Sequence, residues 1–358
     1  MNTSCWMISA ADPAVVLRAF NRGMGLFLFL VLVFSGCSEK KQADFPFHLT
    51  GTTMGTTFSV KVSVLPDGLD TDELKQDIKH TFHDINLTMS TYLPDSELSR
   101  FNRHTGIDWV SISEPLGVVL AEAVNVSELS NGAYDVTVGP LVNLWGFGPG
   151  KESPGIPSEA DIQTLVQRTG FRMVELDEPG QRARKTNPAL YIDLSSLAKG
   201  YAVDRVTELL VNRGIDDYLV EVGGELKLGG GRANGEMWNI AVEKPEAGIR
   251  AIEQVLQLTD VAVATSGDYR NFFESGGLRY SHTIDPRTGR PVSHALVSVT
   301  VLDASAMRAD ALATALMVLG PDEGFQLASK HQLTVLFINK RGEGFETLKT
   351  AGFPAGNG

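Results

Sequence analysis

Apolar and polar side chains alternate along residues 47–64, FHLTGTTMGTTFSVKVSV, near the start of the chain. A period of two is typical of half-buried strands, and the Gly-Thr stretch in the middle predicts a tight turn between two of them. Residues 71–89 and 115–132 instead repeat apolar side chains at helical spacing. A further helix is predicted to begin after Ser158, a natural N-cap, and to stop by Gly170.

The middle and the C-terminal part of the chain are richer in strand patterns. Residues 191–214, YIDLSSLAKGYAVDRVTELLVNRG, are predicted to pass from a short strand through a polar turn into a long helix. Four strand patterns then follow at short spacing: YLVEVGGELKLGG, WNIAVEKP, VAVATSGDY and HALVSVTVLD. A strand-rich middle flanked by helices predicts an α+β fold with mixed or antiparallel sheets, and not a repeated βαβ fold.

A helix rich in Ala, Leu, Met and Val is predicted over RADALATALMVLG, residues 308–320, and it carries Asp310 and Thr314. Residues four apart share one helix face, so these two side chains present their oxygens side by side. A buried carboxylate has to be paired, hydrogen-bonded or bound to a cation, because an isolated buried charge is too costly. Taken alone, the segment favours a structural role, in which Asp310 faces backbone donors and Thr314 bonds a carbonyl oxygen.

Length and charge narrow the classes of function. A chain of 358 residues can bury a large core, either as one large domain or as two lobes. Its formal net charge of −12 argues against nucleic acid as the main partner, because phosphate binding depends on clustered Lys and Arg.

The N-terminus, residues 1–36, is predicted to be an export signal. Two arginines precede the short apolar run GLFLFLVLVF, and the small residues Ser and Gly lead directly into Cys37. This junction resembles the lipobox of bacterial lipoproteins, which implies that Cys37 is lipidated; an ordinary signal peptide or an uncleaved anchor is the alternative. Besides Cys37 the chain has only Cys5, so no disulfide is expected in the exported part. Residues 37–46 are predicted to be a tether, with the protein facing the periplasm from the inner or the outer membrane.

Four glycine-rich turns contain hydroxyl or charged residues: GTTMGTT, DLSSLAKG, EVGGE and ATSGDYRN. Glycine permits close backbone approach to a ligand, and Ser or Thr with exposed amides suits phosphate oxygens. Each turn alone says little, because turns need glycine anyway. The chain has neither a P-loop nor a Rossmann GxGxxG motif.

Seven motifs taken together closely resemble the ApbE family of FAD:protein FMN transferases: GTTMGTTFSVKV, STYLPDSELSRFN, AYDVTVGPLVNLWGFG, IDLSSLAKGYAVD, SGDYRNF, SHTIDPRTGRPV and DALATALMVLG. The resemblance implies an ApbE-like fold over residues 47–350. It also implies a magnesium-dependent transferase that splits FAD, attaches the FMN half through a phosphoester to a threonine hydroxyl of a target flavoprotein, and releases AMP. The family's targets include subunits of membrane sodium-pumping and related electron-transport complexes.

The resemblance implies site residues as well. The family's metal positions match Ser196, Asp310, the backbone oxygen of Ala313, and Thr314, and oxygen ligands of this kind suit magnesium. Its flavin-nucleotide positions match Met54, Tyr92, Ala133, Tyr134, Asp135, Asp193, Lys199 and Ile284. Each of these also has a structural alternative, such as core packing for Met54 or a helix cap for Asp193. Some relatives carry Glu at the Lys199 position, where a lysine would help to neutralise phosphate. With all motifs combined, a magnesium site at Asp310 becomes the favoured interpretation.

His282 in SHTIDP is the candidate general base for the acceptor hydroxyl, because histidine titrates in the right range. A structural hydrogen-bonding role is the alternative. Arg270 and Arg279 are candidates for phosphate contacts or for ordinary ion pairs. Two further functions stay open: a FAD pyrophosphatase that gives FMN and AMP, and a lipoprotein that binds flavin without catalysis.

Overall fold

An antiparallel sheet of eight strands runs through the part of the chain that the structure, a computed structural model, describes: residues 45–148, 155–177, 180–246, 251–268 and 272–356. These residues fall within one compact unit. The predicted signal peptide, Cys37, Arg270 and all of the predicted tether except its last two residues lie outside them. Within the described ranges, no helix combines the length and apolar character that crossing a bilayer requires.

The strands of the described residues are, in chain order, β1 (Phe47–Thr53), β2 (Thr56–Val62), β3 (Val110–Ser111), β4 (Val174–Leu176), β5 (Arg182–Lys185), β6 (Tyr218–Val222), β7 (Glu225–Gly229), β8 (Trp238–Glu243), β9 (Ile252–Leu258), β10 (Ala262–Gly267), β11 (Phe272–Ser275), β12 (Leu278–Ser281), β13 (Ile284–Asp285), β14 (Arg290–Pro291), β15 (Leu296–Asp303), β16 (Thr334–Arg341) and β17 (Gly344–Lys349). The large sheet has the order β1-β2-β6-β7-β10-β15-β16-β17. Smaller sheets are formed by β3-β5-β4, β8-β9, β11-β12 and β13-β14. Every one of these pairings is antiparallel.

The helices of the described residues are, in chain order, α1 (Thr71–Met89), α2 (Glu97–Arg103), α3 (Glu114–Leu129), α4 (Gly139–Leu144), α5 (Glu159–Val166), α6 (Ala198–Asn212) and α7 (Ala306–Lys330). Side chains cap several N-termini: Asp70, Ser113 and Ser158 accept hydrogen bonds from backbone N–H groups of α1, α3 and α5. Such caps satisfy donors that have no partner inside the helix. The predicted α+β class is therefore confirmed, with antiparallel sheets.

The large sheet separates two hydrophobic cores. Alternate residues of β16 serve both, with Val335 and Phe337 in the main core and Leu336 and Ile338 in the second, as the two-residue period of a strand requires. Helices α1, α3, α6 and α7 contribute to the main core, and the β8-β9 hairpin contributes to the second. A third, smaller cluster unites α4, α5 and β13 around Trp145, whose Nε1 donates to the carbonyl oxygen of Gly289 at 2.8 Å.

The prediction of a short strand at the start of residues 191–214 is wrong, because residues 191–194 form no strand. Ile192 is clamped by the side chain of Asn102, whose Nδ2 donates to the Ile192 carbonyl oxygen at 2.8 Å. The backbone N–H of Ile192 donates in return to Asn102 Oδ1 at 2.8 Å. One amide side chain thus satisfies the backbone groups that a neighbouring strand would otherwise pair.

Helix α7 contains the predicted helix over residues 308–320. It bends at Gly320, where that predicted helix ends and ten residues of α7 still follow. Gly320 has a φ of 79°, in the left-handed region, and Pro321 follows it. Proline has no N–H to donate to the Met317 carbonyl oxygen one turn earlier. His294 Nε2 lies 2.8 Å from that oxygen and replaces the missing donor.

Candidate active site

A cavity of about 410 Å³ opens beside the first turns of α6 and α7. Its volume is within the range typical of small-molecule sites. The cavity is lined by most of the residues that the sequence singled out: Tyr92, Ala133, Tyr134, Asp135, Asp193, Ser196, Lys199, His282, Ile284, Asp310 and Thr314. Met54 and Ala313 do not line it. The structure therefore gathers side chains from widely separated motifs into one place.

The start of α7 is held by a carboxylate from α6. Asp204 accepts hydrogen bonds from the backbone N–H groups of Ala306 and Met307 at 3.1 and 3.0 Å, and from the Ser305 hydroxyl at 2.8 Å. Lys227 on β7 pairs with the same carboxylate at 2.8 Å. A negative charge is favourable at a helix N-terminus, where the N–H groups lack partners. This anchor fixes the helix that carries the cavity carboxylate.

Gly200 brings α6 and α7 into close contact. A Cβ atom at this position would lie only 2.2 Å from the carbonyl oxygen of Ala306, so no larger residue fits without a shift of the backbone. The Gly200 N–H donates to Asp310 Oδ2 at 3.2 Å. The glycine of the AKG motif is therefore explained by a close approach of two backbones, which sets the position of Asp310 against α6.

Lys199 pairs with two buried carboxylates across the cavity. Its Nζ lies 3.2 Å from Asp310 Oδ2 and 3.2 Å from Glu225 Oε1. Burial disfavours the ammonium charge, but Asp310 and Glu225 outweigh it and raise the pKa of Lys199. Burial also raises the pKa of Asp310, and burial together with the Asp310 charge raises the pKa of Glu225. The lysine is thus held charged between two carboxyl groups that compete for it.

Oxygen atoms of the kind that bind magnesium line the same cavity as this ion pair. Asp310 and Thr314 lie one helical turn apart on α7, as predicted, and the Thr314 hydroxyl is 3.3 Å from that of Ser266 on β10. The Ser196 hydroxyl lies 2.9 Å from the phenol oxygen of Tyr134. One carboxylate, several hydroxyls and room for substrate phosphates are a donor set that suits Mg²⁺. Among the described residues, no three His, Cys, Asp or Glu side chains converge on a common metal position.

The remaining predicted flavin positions differ in their surroundings. Tyr92 stands at the edge of the cavity and is 73% exposed, so its ring is accessible to a flat ligand. Ile284 is buried and belongs to the third hydrophobic cluster. Met54 lies in the two-residue turn between β1 and β2 with a positive φ of 50°, and its side chain packs on the main core.

Two aspartates of the cavity shape its loops. Asp135 accepts hydrogen bonds from the backbone and hydroxyl of Thr137 at 2.8 and 2.6 Å and from the Phe171 N–H at 2.7 Å. Burial raises the pKa of Asp135, although these hydrogen bonds favour the charged form. Asp193 accepts from the Ser195 N–H at 2.8 Å and closes the turn before α6.

His282 lines the same cavity and lies in the segment that joins β12 to β13. Its ring meets that of Phe147 edge to face, with the centroids 6.2 Å apart. Nearby, Arg279 donates to the backbone oxygen of Asp268 at 2.8 Å and forms an ion pair with its carboxylate at 3.7 Å. Burial raises the pKa of the Asp268 carboxyl despite the positive charge of Arg279. Arg279 does not line the cavity.

Several residues that line the cavity were not predicted as site residues, and Glu225, Ser266 and Phe147 are among them. Glu225 and Ser266 belong to two of the glycine-rich turns, EVGGE and ATSGDYRN, in which only Arg270 was given a candidate role. A glutamate that follows Gly-Gly and opens a strand was an available signal. Phe147 gave none, because an aromatic residue in a Gly-rich loop has no fixed environment.

Comparison with known proteins places this chain among flavin-transferring enzymes. The sequence model of the ApbE family matches residues 54–337. An FAD:protein FMN transferase from Vibrio cholerae serotype O1 is 44% identical over 323 residues, which cover 90% of this chain and 95% of that protein. The enzyme of the same description from Haemophilus influenzae is 41% identical over 331 residues, 90% of this chain and 94% of that one.

Solved structures are similar over nearly their whole length. The flavin transferase ApbE from Vibrio cholerae has a TM-score of 0.80 and 44% identity, and the match covers 86% of this chain and 97% of that one. The apo form of the Pseudomonas stutzeri flavinyl transferase ApbE has a TM-score of 0.78 and 40% identity, with 85% and 94% covered.

Proposed function

The chain belongs to the ApbE family, and we propose that it is a flavin transferase that moves FMN from FAD to a hydroxyl group of an acceptor protein. The observation that carries this proposal is the Lys199–Asp310 pair inside a cavity lined by hydroxyl groups. A dinucleotide brings a diphosphate, and such a ligand needs positive charge beside donors that are already oriented.

We propose that the residues of this chain mainly position the reactants. The acceptor oxygen forms a bond to the phosphorus of the FMN half, the bond from that phosphorus to the AMP oxygen breaks, and AMP leaves. Lys199 neutralises phosphate charge, and His282 takes the proton of the acceptor hydroxyl. Phosphoryl transfer asks for this kind of help, because its transition state needs in-line geometry and charge neutralisation more than covalent assistance.

We infer that Mg²⁺ would be held by Asp310, Thr314, Ser196 and the backbone oxygen of Ala313. The carboxylate and the hydroxyls are hard oxygen ligands, and magnesium in such enzymes is commonly bound by one or two carboxylates together with substrate phosphates. When bound, the ion would neutralise negative charge on the diphosphate.

The acceptor residue in this proposal is a threonine of a flavoprotein, such as a subunit of a sodium-pumping or related electron-transport complex. The predicted lipid anchor at Cys37 would hold the enzyme on the periplasmic side of a membrane, beside such subunits. Labelling cells with a radioactive fatty acid tests the anchor: the wild-type protein should incorporate it and Cys37→Ala should not. Equal labelling of both would contradict the anchor and leave the transferase proposal intact.

The reaction is tested by incubating the purified protein with FAD and Mg²⁺, with and without an acceptor domain, and measuring AMP. A transferase releases AMP in proportion to the acceptor that becomes flavinylated. AMP release at the same rate without acceptor would identify a FAD pyrophosphatase instead. Tight FAD binding with no AMP in either mixture would identify a flavin-binding protein without catalysis.

A further inference from the structure

Glu225 lines the cavity, and only one of its two carboxylate oxygens has a partner among the described residues. It opens β7, is 6% exposed, and its Oε1 pairs with Lys199 at 3.2 Å. Its Oε2 is buried and has no hydrogen-bond partner among the described residues. Leaving a buried carboxylate oxygen unpaired is costly, and such atoms in a well-packed protein call for an explanation.

The charges around Lys199 suggest that explanation. One ammonium faces two carboxylates, Asp310 and Glu225, at the same distance of 3.2 Å. A cation that binds Asp310 therefore has to compete with Lys199 for that carboxylate. The Lys199 side chain is only 25% exposed, and on leaving Asp310 it would keep Glu225 Oε1 and the Ser195 carbonyl oxygen, 3.5 Å away, as partners. A further contact would offset the lost one, because a poorly paired buried charge is expensive.

We propose that Glu225 is a positioning residue that retains Lys199 when a divalent cation takes Asp310. Glu225 Oε1 already contacts Lys199, and its unpaired Oε2 belongs to the same carboxylate. Lys199 can therefore exchange its contact with Asp310 for a contact with Oε2 without leaving the cavity. The inference rests on the proposed function, because that function places a cation at Asp310. The consequence is that Glu225 favours cation binding without being a ligand itself.

Binding of Mn²⁺ alone, in place of Mg²⁺, tests this role without any measurement of catalysis. The electron paramagnetic resonance signal of free Mn²⁺ is followed while the ion is titrated into the purified protein. Glu225→Gln keeps the shape and removes the charge, and we expect it to raise the Mn²⁺ dissociation constant by about tenfold, a size typical of coupling between interacting sites. Glu225→Asp retains the charge and should bind Mn²⁺ more tightly than Glu225→Gln.

A double variant separates retention from direct coordination. If Glu225 acts through Lys199, Glu225→Gln should leave Mn²⁺ affinity nearly unchanged when it is added to Lys199→Met, because the competitor that Glu225 retains is already gone. If Glu225 is itself a ligand, Glu225→Gln should weaken Mn²⁺ binding as much in the Lys199→Met protein as in the wild type, and the proposal is overturned. Glu346→Gln, on β17 in an exposed ion pair with Arg341, is the matched control for the loss of one carboxylate and should leave Mn²⁺ affinity unchanged.

The outcomes distinguish this inference from the proposed function. Wild-type protein that binds no Mn²⁺ contradicts the cation site of the proposed function, and the Glu225 inference with it. Wild-type binding together with unchanged binding by Glu225→Gln contradicts the Glu225 inference alone. Thermal unfolding without cation shows whether each variant is folded. If Glu225→Gln is not folded, the Mn²⁺ affinity of Glu225→Asp is compared with that of the wild type instead.

Discussion

Gly200→Ala perturbs the contact that places Asp310 against α6. The added Cβ would lie 2.2 Å from the Ala306 carbonyl oxygen and 2.7 Å from the Met307 Cα, whereas ordinary contacts begin at 3.4 Å. These neighbours are backbone atoms at the start of α7 and cannot rotate away. The two helix starts must therefore separate by about 1 Å to restore normal van der Waals distances.

Two opposing effects set the magnitude of this change. Alanine is favoured over glycine inside a helix by up to about 1 kcal/mol. Overpacking a close contact costs about 1–3 kcal/mol. The net loss of about 0–2 kcal/mol should lower the melting temperature by up to roughly 4 °C, because one kcal/mol shifts it by about 2 °C or less in a domain larger than about 250 residues. The same separation stretches the Lys199–Asp310 pair, and a misplacement of about 1 Å can reduce a rate by about 100-fold.

Thermal unfolding and the rate of FMN transfer should be measured on the same preparation of Gly200→Ala. Gly344→Ala is the matched control, because the nearest atom to its new Cβ would be 3.8 Å away, at the start of β17. This control should retain both stability and activity. A Gly200→Ala protein that is more stable than the wild type and fully active would refute the close-contact reasoning, since helix propensity alone predicts that result.

Three further changes test other contacts of the structure. His282→Ala should slow flavin transfer while FAD affinity, measured by flavin fluorescence, stays the same; an unchanged rate would remove it as the base. His294→Leu leaves the Met317 carbonyl oxygen without its donor and should lower the free energy of unfolding by about 1–3 kcal/mol in urea, with a smaller loss for His294→Gln, which keeps a donor. Lys185→Met removes an ammonium that donates to the carbonyl oxygens of Asn102 and Leu190, at 2.9 and 3.3 Å. It should also lower the free energy of unfolding by about 1–3 kcal/mol, and stability equal to wild type would show that these contacts contribute nothing.

The elements that depend on local pattern could be predicted from the sequence. The alternation of residues 47–64 produced the β1-β2 hairpin, and helical spacing produced α1 over Thr71–Met89. The position of Asp310 and Thr314 on one helix face is equally local, because it depends only on the helical repeat. Such features need no knowledge of which segments meet in the folded chain.

The parts that were missed depend on contacts between distant segments. Glu225 meets Lys199 because β7 packs against α6, and Lys199 meets Asp310 because Gly200 lets α6 approach α7. The wrongly predicted strand at Ile192 has the same cause, since its backbone partner is the side chain of Asn102, far away in the sequence. Hydrophobic periodicity carries no information about such partners.

The cavity at Asp310 is proposed to transfer FMN from FAD to protein. Mass spectrometry of an exported flavoprotein, co-expressed with the wild-type chain or with Asp310→Ala, tests this transfer. FMN attached to a threonine of the acceptor is expected with the wild type and not with Asp310→Ala, whose Lys199 keeps Glu225 as a partner and whose thermal unfolding should show an intact fold. Full flavinylation by Asp310→Ala, or none by the folded wild type with FAD and Mg²⁺ present, would contradict the claim.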